Sequence, residues 1–265
     1  MKVSIITAVL NNRDYIEDCL KTILNQTYLN IEHTIIDGGS TDGTLSIIEK
    51  FIDKKSRFIS ETDNGIYDAM NKGVMLSSGD VIGILNADDI YADEDVIKNV
   101  VQTIIKNKVD SCYGDLVCVD RNNINKVIRY WQAENFYKEK FKKGWMPPHP
   151  TFFVKRSAYE KYGMFNTDFP LAADYELMLR FLYKHEISTT YIPKVLVKMR
   201  TGGTSNPGVY TFKAILENYR AWKVNDLSPN PTTFFLKPFL KIFQFMPCNK
   251  KLNLPRRSVT RSKVD

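Results

Sequence analysis

The tetrapeptide Asn86-Ala87-Asp88-Asp89 places two carboxylates and an amide directly after an apolar run at residues 81–85. A short, uninterrupted apolar run predicts a buried strand, so these polar side chains are expected where that strand opens into a loop. Oxygen ligands of this kind suit Mg²⁺ or Mn²⁺, ions that commonly accompany phosphate-bearing substrates. Asp-Asp pairs also form ordinary turns and helix caps, so the tetrapeptide alone leaves both interpretations open.

Polar clusters also stand at the ends of two earlier predicted strands, at residues 8–11 and 37–40. The apolar spacing predicts strands at residues 3–10, 31–37, 57–60 and 81–85, and helices at 14–26, 44–51, 66–76 and 93–107. Strands that alternate with helices in this way predict an α/β fold with a mostly parallel central sheet and helices on both faces. Ligands of such sheets bind beyond the carboxyl ends of the strands, so the three clusters should share one edge.

The pattern becomes less regular after residue 109. It predicts strands at 112–115, 127–131, 151–154 and 190–199, the last bent at Pro193, and helices at 174–183 and 210–224. Residues 132–148 are rich in aromatic residues and lysines and end in Pro147-Pro148, a composition that predicts a mobile loop or flap.

The composition is that of an ordinary soluble globular protein, with 265 residues, 43% hydrophobic and 25% charged. No segment reaches the length of a membrane-spanning helix, and the first ten residues lead into helical pattern without a signal-peptide cleavage site. The four cysteines are scattered, which predicts reduced thiols and neither a zinc site nor a disulfide framework. We therefore expect a cytoplasmic protein.

The net charge of +7 is concentrated in the last part of the chain. Residues 232–265 hold eight basic residues and one acidic residue, which leaves 29 of each in residues 1–231. Residues 234–246 combine aromatic residues with lysines, so this basic, apolar extension is interpreted either as a segment that binds anionic lipid or as a last helix packed on the core, although Pro238 would break a long helix. A nucleic-acid partner is not expected, because the body has no basic excess.

Three motifs in this order resemble the family 2 glycosyltransferases: residues 3–12 (VSIITAVLNN), 37–44 (DGGSTDGT) and 86–89 (NADD). Residues 60–73 (SETDNGIYDAMNKG) are similar to a bacterial subgroup that builds capsule, colanic-acid and O-antigen sugars. The resemblance covers roughly residues 1–205 and implies a GT-A, Rossmann-like fold. It also implies inverting, Mn²⁺- or Mg²⁺-dependent transfer of one sugar from a nucleoside-diphosphate sugar to a hydroxyl of a lipid-linked saccharide. The alternative is a catalytically silent nucleotide-sugar-binding or membrane scaffold protein.

The resemblance assigns the donor site to residues of the first half. The acid that matches Asp37 contacts the nucleotide base, although an Asp here could also cap the following helix. Asp88 and Asp89 are the expected metal ligands, with Asp88 the first choice, and Asn86 stands where relatives carry the first Asp of an Asp-x-Asp element. The remaining nucleotide-binding candidates are Thr7, Ala8, Leu10, Asp63, Asn64, Lys72 and Ala87, of which Lys72 could equally be only solvated.

The acceptor side is assigned to the second half. Asp174 matches the family's acid and would be the catalytic base, and an N-cap role is compatible with it. Glu176 is not expected to replace it. Trp145 and His149 are the candidate acceptor contacts, although His149 beside prolines could be only a turn residue, and residues 200–205 are a candidate lid.

These assignments give a domain plan and a list of partners. We predict a glycosyltransferase domain at residues 1–226, with a nucleotide-binding half at about 1–108 and an acceptor half at about 109–226, followed by the extension at 227–265. UDP is the family's commonest nucleotide, while dTDP and GDP stay open. Lipid binding by the extension would make the protein peripheral on the inner face of the cell membrane.

Overall fold

The computed structural model describes residues 1–202 and 209–228, and the side chains of residues 209–212 are left aside. The strands are β1 (Val3–Val9), β2 (Ile31–Asp37), β3 (Ser56–Ser60), β4 (Val81–Ile84), β5 (Ile90–Tyr91), β6 (Ser111–Val119), β7 (Val127–Trp131), β8 (Phe153–Lys155) and β9 (Thr189–Arg200). The helices are α1 (Ile16–Leu24), α2 (Thr44–Ile48), α3 (Ile66–Leu76), α4 (Val96–Asn107), α5 (Glu139–Lys142), α6 (Arg156–Tyr162), α7 (Ala173–Met178) and α8 (Val209–Val224). A 3₁₀ turn spans His149–Thr151, and α7 runs into a π-helical turn at Leu179–Lys184.

The strands of the described residues join into one sheet in the order β3-β2-β1-β4-β8-β6-β9-β5, with β7 paired to β6. The first four strands of this order are parallel, and β8 joins them to the second half through antiparallel pairs with β4 and β6. The sheet is buried on both sides: α3 packs on one face, and α1 and α4 pack on the other. The predicted α/β fold with a mostly parallel central sheet is confirmed.

The register of the parallel strands brings their carboxyl ends to one edge. Val9 pairs with Asp37, and Asp37 pairs with Ser60. Backbone bonds continue just beyond the strands, since the Gly38 N–H donates to Val9 O at 2.9 Å and the Leu85 N–H donates to Ile6 O at 3.0 Å. The loops that follow β1, β2, β3 and β4 therefore start side by side, and the polar clusters of the sequence lie in these loops.

The second half differs in part from the sequence prediction. Residues 132–148 do not form an exposed flap, because Ala133 and Phe141 are fully buried and α5 lies within the segment. Its aromatic side chains supply the apolar area that holds it against α7. The bend at Pro193 is confirmed as an irregularity in the pairing of β6 with β9, where Gly114 pairs with Ile192 but Asp115 pairs with Val195.

His33 links β2 to β1 from inside the fold, and its Nε2 lies 3.0 Å from Thr7 Oγ1. Burial lowers the pKa of His33 to about 4. The folded protein then binds this proton more weakly than the unfolded chain, so the contribution to stability is complete above the ordinary pKa near 6.5 and is lost as the pH falls toward 4.

We predict that the wild type loses about 2 kcal/mol more unfolding free energy than His33→Gln between pH 7.5 and pH 4.5. Gln keeps a hydrogen-bonding side chain but cannot take up the proton. Urea unfolding of both proteins at the two pH values measures the difference, and equal losses would contradict the prediction.

Candidate active site

Asp37 closes the turn after β2 with one oxygen and leaves the other unused. Its Oδ2 accepts hydrogen bonds from the backbone N–H groups of Gly39 and Ser40, both at 2.9 Å, and from Ser60 Oγ at 2.7 Å. Its Oδ1 is buried and has no partner among the described residues. A buried acceptor without a partner is costly, so this oxygen is suited to a ligand N–H such as that of a nucleotide base.

Asp63 packs against the same turn. A Cβ at Gly38 would lie 2.5 Å from Asp63 Oδ2, so a larger residue at position 38 would have to displace the Asp63 carboxylate. The other oxygen of Asp63 accepts from the Gly65 N–H at 2.9 Å and fixes the entry to α3. Asn64, which lies between Asp63 and Gly65 in the chain, is exposed. Asp63 and Asn64 thus lie beside Asp37, and their nucleotide contacts stay predictions.

The three β1 candidates occupy different environments. Thr7 is fully buried on the α1 side of the sheet, and Ala8 is buried in the core under α3. Leu10 is 55% exposed just after the strand, so among these three it is the one whose side chain a ligand could cover. The role of all three in a nucleotide site stays a prediction.

Lys72 lies in the middle of α3 and is held by carboxylates. Its Nζ is 2.8 Å from Glu61 Oε1 and 3.5 Å from Asp68 Oδ2. These pairs occupy the ammonium group in this arrangement, so a diphosphate contact would have to replace at least one of them. That contact stays a prediction.

The turn after β4 is built by Asn86 and Asp89. The Asp89 N–H donates to Asn86 O at 3.0 Å, and the Asn86 amide Nδ2 donates to Asp89 Oδ2 at 3.0 Å. Ala87 and Asp89 are buried, whereas Asp88 is half-buried and keeps solvent contact. Asp88 is therefore the accessible carboxylate of the turn, and Asp89 supports it from beneath.

Arg200, at the end of β9, clamps this turn from the opposite side. It is 6% exposed, and its Nη1 donates to the backbone oxygen of Asp88 at 2.9 Å. Its Nη2 binds Asp18 Oδ2 on α1 at 2.5 Å, and its Nε donates to Arg121 O at 3.2 Å. Tyr15 lies between the guanidinium groups of Arg121 and Arg200, at 4.4 and 5.0 Å from its ring centre. Three segments of the chain, at residues 15–18, 121 and 200, thus form the network that fixes the backbone carrying Asp88.

The donors in this turn fit a hard divalent cation. Asn86 Oδ1 and Asp89 Oδ1 are both buried without a partner in the described part of the chain. Within residues 1–202 and 209–228 no group of three or more His, Cys, Asp or Glu side chains could hold a metal ion by itself. Mg²⁺ and similar ions are commonly held by one or two carboxylates together with substrate phosphates, and the oxygens of this turn match that division.

Asp174 stands in the first turn of α7 and is half-buried. Its Oδ1 accepts from the Tyr67 hydroxyl at 3.3 Å and from the Tyr175 N–H at 2.8 Å. Burial, followed by the charge of Asp174, raises the pKa of the Tyr67 phenol well above its usual range, so the phenol stays protonated and donates.

Both carboxylate oxygens of Glu176 accept hydrogen bonds that hold the fold together, so Asp174 is the acid of α7 that stays a candidate for the base. Its two oxygens accept from Arg180 Nε and Nη2, both at 2.9 Å, and Asn225 adds a third bond at 2.9 Å. A buried carboxylate with three such donors holds the helix in place. This geometry agrees with the expectation that Glu176 does not act in place of Asp174.

His149 lies within reach of the charge of Asp174, whereas Trp145 packs among the aromatic residues of the acceptor half. Burial lowers the pKa of His149, partly offset by the charge of Asp174, and its ring meets the edge of Phe165 at 5.7 Å. The Trp145 indole N–H donates to Ala133 O at 2.9 Å, and the ring packs against Phe141. Trp145 therefore belongs to the packing of the acceptor half, and acceptor contacts by either residue stay predictions.

Sequence reasoning missed three contacts that the fold brings to the site, one of them made by Arg200, the first residue of the candidate lid. Tyr67 bonds Asp174, Arg200 holds the Asp88 backbone, and Glu217 on α8 accepts from the Leu171 N–H at 2.9 Å close to Tyr67. Tyr67 could have been noticed as an aromatic residue within the motif at residues 60–73; the other two contacts depend on pairings distant in sequence. Of the candidate lid at residues 200–205, residues 203–205 lie outside the described residues, and so does the extension at 227–265 from residue 229 onward.

No helix in the described ranges is long and apolar enough to span a bilayer.

Comparisons with known proteins agree with the resemblance seen in the sequence. A model of glycosyl transferase family 2 matches residues 4–163. A PGL/p-HBAD biosynthesis glycosyltransferase of Mycobacterium tuberculosis is 31% identical over 208 residues, which cover 77% of this chain and 78% of that protein.

Two solved structures share the fold. S. aureus TarS 1–349 in complex with UDP-GlcNAc has a TM-score of 0.63 and 17% identity, and the match covers 91% of this chain and 72% of that one. The mannosyltransferase PcManGT from Pyrobaculum calidifontis, in complex with GDP-Man and Mn²⁺, has a TM-score of 0.63 and 20% identity, with 90% and 69% covered. At such low identity the likeness concerns the fold alone.

The buried carboxyl of Asp89 makes stability depend on pH. Burial, with the charge of Asp88 as the second cause, raises the pKa of Asp89 to about 8. The folded protein therefore holds this proton more tightly than the unfolded chain, so the contribution to stability is complete below the ordinary pKa near 4 and is lost as the pH rises through 8.

We predict that the wild type loses at least about 2 kcal/mol more unfolding free energy than Asp89→Asn when the pH rises from 5 to 9 in EDTA, because Asn cannot ionise. Urea unfolding of both proteins at the two pH values measures this difference. A wild-type protein that loses no more stability than Asp89→Asn would show that Asp89 ionises freely in the fold.

Proposed function

The chain belongs to glycosyl transferase family 2, and we propose that it is an inverting, divalent-metal-dependent enzyme that moves a single sugar from a nucleoside-diphosphate sugar to a hydroxyl group of a saccharide. The observation that carries this proposal is Asp174, a half-buried carboxylate with one oxygen held by the protein. Family membership makes the chain a glycosyltransferase, so the silent binding protein is set aside.

The donor is a nucleotide sugar, and we propose a UDP-sugar. The unpartnered Oδ1 of Asp37 would accept the N–H of the base, with Asp63 and Asn64 at the edge of the same site. Uracil, thymine and guanine all offer such an N–H, so this contact accommodates dTDP and GDP as well. Neighbouring structures contain UDP-GlcNAc in one case and GDP-Man in the other.

Asp88, together with the amide oxygen of Asn86, would hold Mn²⁺ or Mg²⁺ against the diphosphate. Such an ion supplies Lewis-acid stabilisation of the charge that develops on the leaving diphosphate. The chain's own part is to keep the carboxylate of Asp88 in place. The buried Asp89 and Arg200 do so by fixing the side chain of Asn86 and the backbone of Asp88.

In the transfer step, Asp174 would take the proton of the acceptor hydroxyl. The acceptor oxygen forms a bond to the anomeric carbon of the donor sugar as the bond from that carbon to the phosphate oxygen breaks. The bonding electron pair leaves with the nucleoside diphosphate, and attack from the opposite face inverts the anomeric centre. General-base catalysis of this kind contributes about 10²- to 10⁴-fold to the rate.

For the acceptor we propose a lipid-linked saccharide of bacterial surface-polysaccharide biosynthesis. The support is the similarity of residues 60–73 to that subgroup and the basic, aromatic composition of residues 227–265, which suits an anionic membrane surface. We retain the division into a nucleotide-binding half at about 1–108, an acceptor half at about 109–226 and the extension as part of this proposal.

Asp174→Asn should lower the transfer rate by at least about 100-fold, because the amide cannot take the acceptor's proton. Nucleotide binding, followed by calorimetry with UDP and Mn²⁺, should stay within about threefold of the wild type. Asp168→Asn, a change at an exposed carboxylate six residues earlier, is the matched control and should retain activity. Full activity of Asp174→Asn would remove Asp174 from the role of base.

A donor panel identifies the nucleotide and tests the metal. UDP-GlcNAc, UDP-glucose, GDP-mannose and a dTDP-linked sugar are each incubated with p-nitrophenyl glycosides and Mn²⁺, and free nucleotide is measured. We expect a UDP-sugar to react fastest, EDTA to stop the reaction, and Asp88→Asn to lower it about 100-fold. A reaction that proceeds equally in EDTA would contradict the metal-dependent step.

A further inference from the structure

Tyr67 is held rigidly between α3 and the acceptor half. Its ring stacks on Phe165 with the ring centres 5.6 Å apart. Phe165 is itself fixed by Asn71, one helical turn after Tyr67, because the Asn71 side chain accepts from the Phe165 N–H at 2.9 Å and donates to its carbonyl at 2.8 Å. α3 therefore places Tyr67 and Asn71 on one face, and this packing fixes the direction of the Tyr67 hydroxyl.

The phenol meets Asp174 at one oxygen only. Tyr67 and the Tyr175 N–H both donate to Oδ1, at 3.3 and 2.8 Å. Both of these hydrogen bonds go to Oδ1, and neither uses Oδ2. Two donors that converge on one oxygen set the rotation of the carboxylate and leave the other oxygen available to a substrate hydroxyl.

The titratable groups that interact electrostatically with this pair include His149 and Glu217. The charge of Asp174 acts on His149, and the charges of Asp174 and Glu217 both act on Tyr67. Glu217 accepts from the Leu171 N–H at 2.9 Å and so anchors the loop that leads into α7. The phenol of Tyr67 is the group among these three that donates directly to the carboxylate.

We propose that Tyr67 is a positioning residue for the reaction: its hydroxyl orients Asp174 and stabilises the ionised carboxylate, so that Oδ2 faces the acceptor hydroxyl. This inference rests on the proposed role of Asp174 as the base. The motif at residues 60–73 would then have two roles, because α3 follows the donor-side turn and also orients Asp174 on the acceptor side.

The proposal separates the hydroxyl from the ring. Tyr67→Phe keeps the stack on Phe165 and removes only the donor, so packing should survive. A hydrogen bond to a charged group typically changes a rate by roughly 10- to 100-fold when it is lost. Because the hydroxyl acts on the base and not on the donor, its loss should lower kcat and leave the donor KM unchanged.

The experiment compares wild type, Tyr67→Phe, Asp174→Asn and the control Tyr162→Phe, whose ring stacks on His185. The assay uses full-length protein and the most active donor and p-nitrophenyl glycoside pair from the donor panel. Measurements are kcat, the donor KM, the affinity for UDP with Mn²⁺, and the thermal midpoint.

We expect Tyr67→Phe to lose roughly 10- to 100-fold in kcat, while donor KM, UDP affinity and thermal midpoint stay near those of the wild type and of Tyr162→Phe. An unchanged kcat in Tyr67→Phe, with Asp174→Asn inactive, would overturn the positioning role alone. An active Asp174→Asn would overturn the base itself. A kcat loss in Tyr67→Phe that comes with a lower thermal midpoint or weaker UDP binding would also contradict the proposal.

Discussion

Three acidic side chains of the candidate site, two at the sheet edge and one on α7, share one arrangement: the described residues bind one oxygen of each through the hydrogen bonds given above. Asp37 and Asp89 use Oδ2 internally, and their Oδ1 atoms are buried and unpaired in the described part of the chain. Asp174 accepts its bonds from Tyr67 and Tyr175 at Oδ1, and neither uses Oδ2. Buried unpaired oxygens destabilise the ligand-free protein, so a ligand that supplies their missing partners gains affinity and stabilises the fold.

The parallel register of β1, β2, β3 and β4 makes this arrangement possible. The register places Val9, Asp37 and Ser60 side by side, and the loops beyond them begin at one edge. Contacts then pass from the turn at Gly38 to Asp63, from Asp63 through Gly65 into α3, and from α3 to Asp174. The donor and acceptor sides are thus connected through one helix, and that helix carries the motif at residues 60–73.

Much of the fold follows from local sequence. The apolar runs and the Asn64-Gly65 turn located β2 and α3 to the residue, because their signals are periodic and their boundaries are marked by turn residues. β5 is only two residues long and is defined by its pairing with β9, so the periodicity of the sequence does not predict it. Strand ends and family resemblance could nominate Asp37, Asp88 and Asp174. The bonds of Tyr67 to Asp174 and of Arg200 to Asp88 span 107 and 112 residues, and sequence patterns do not encode such distances.

The most direct test is a crystal structure of the full chain with UDP and Mn²⁺ bound. We expect the uracil N–H to donate to Asp37 Oδ1 and the ion to contact the carboxylate of Asp88. We also expect Asp174 Oδ2 to face the end of the diphosphate from which the sugar departs. Nucleotide bound away from this edge, or an ion placed without contact to the Asn86–Asp89 turn, would contradict the account.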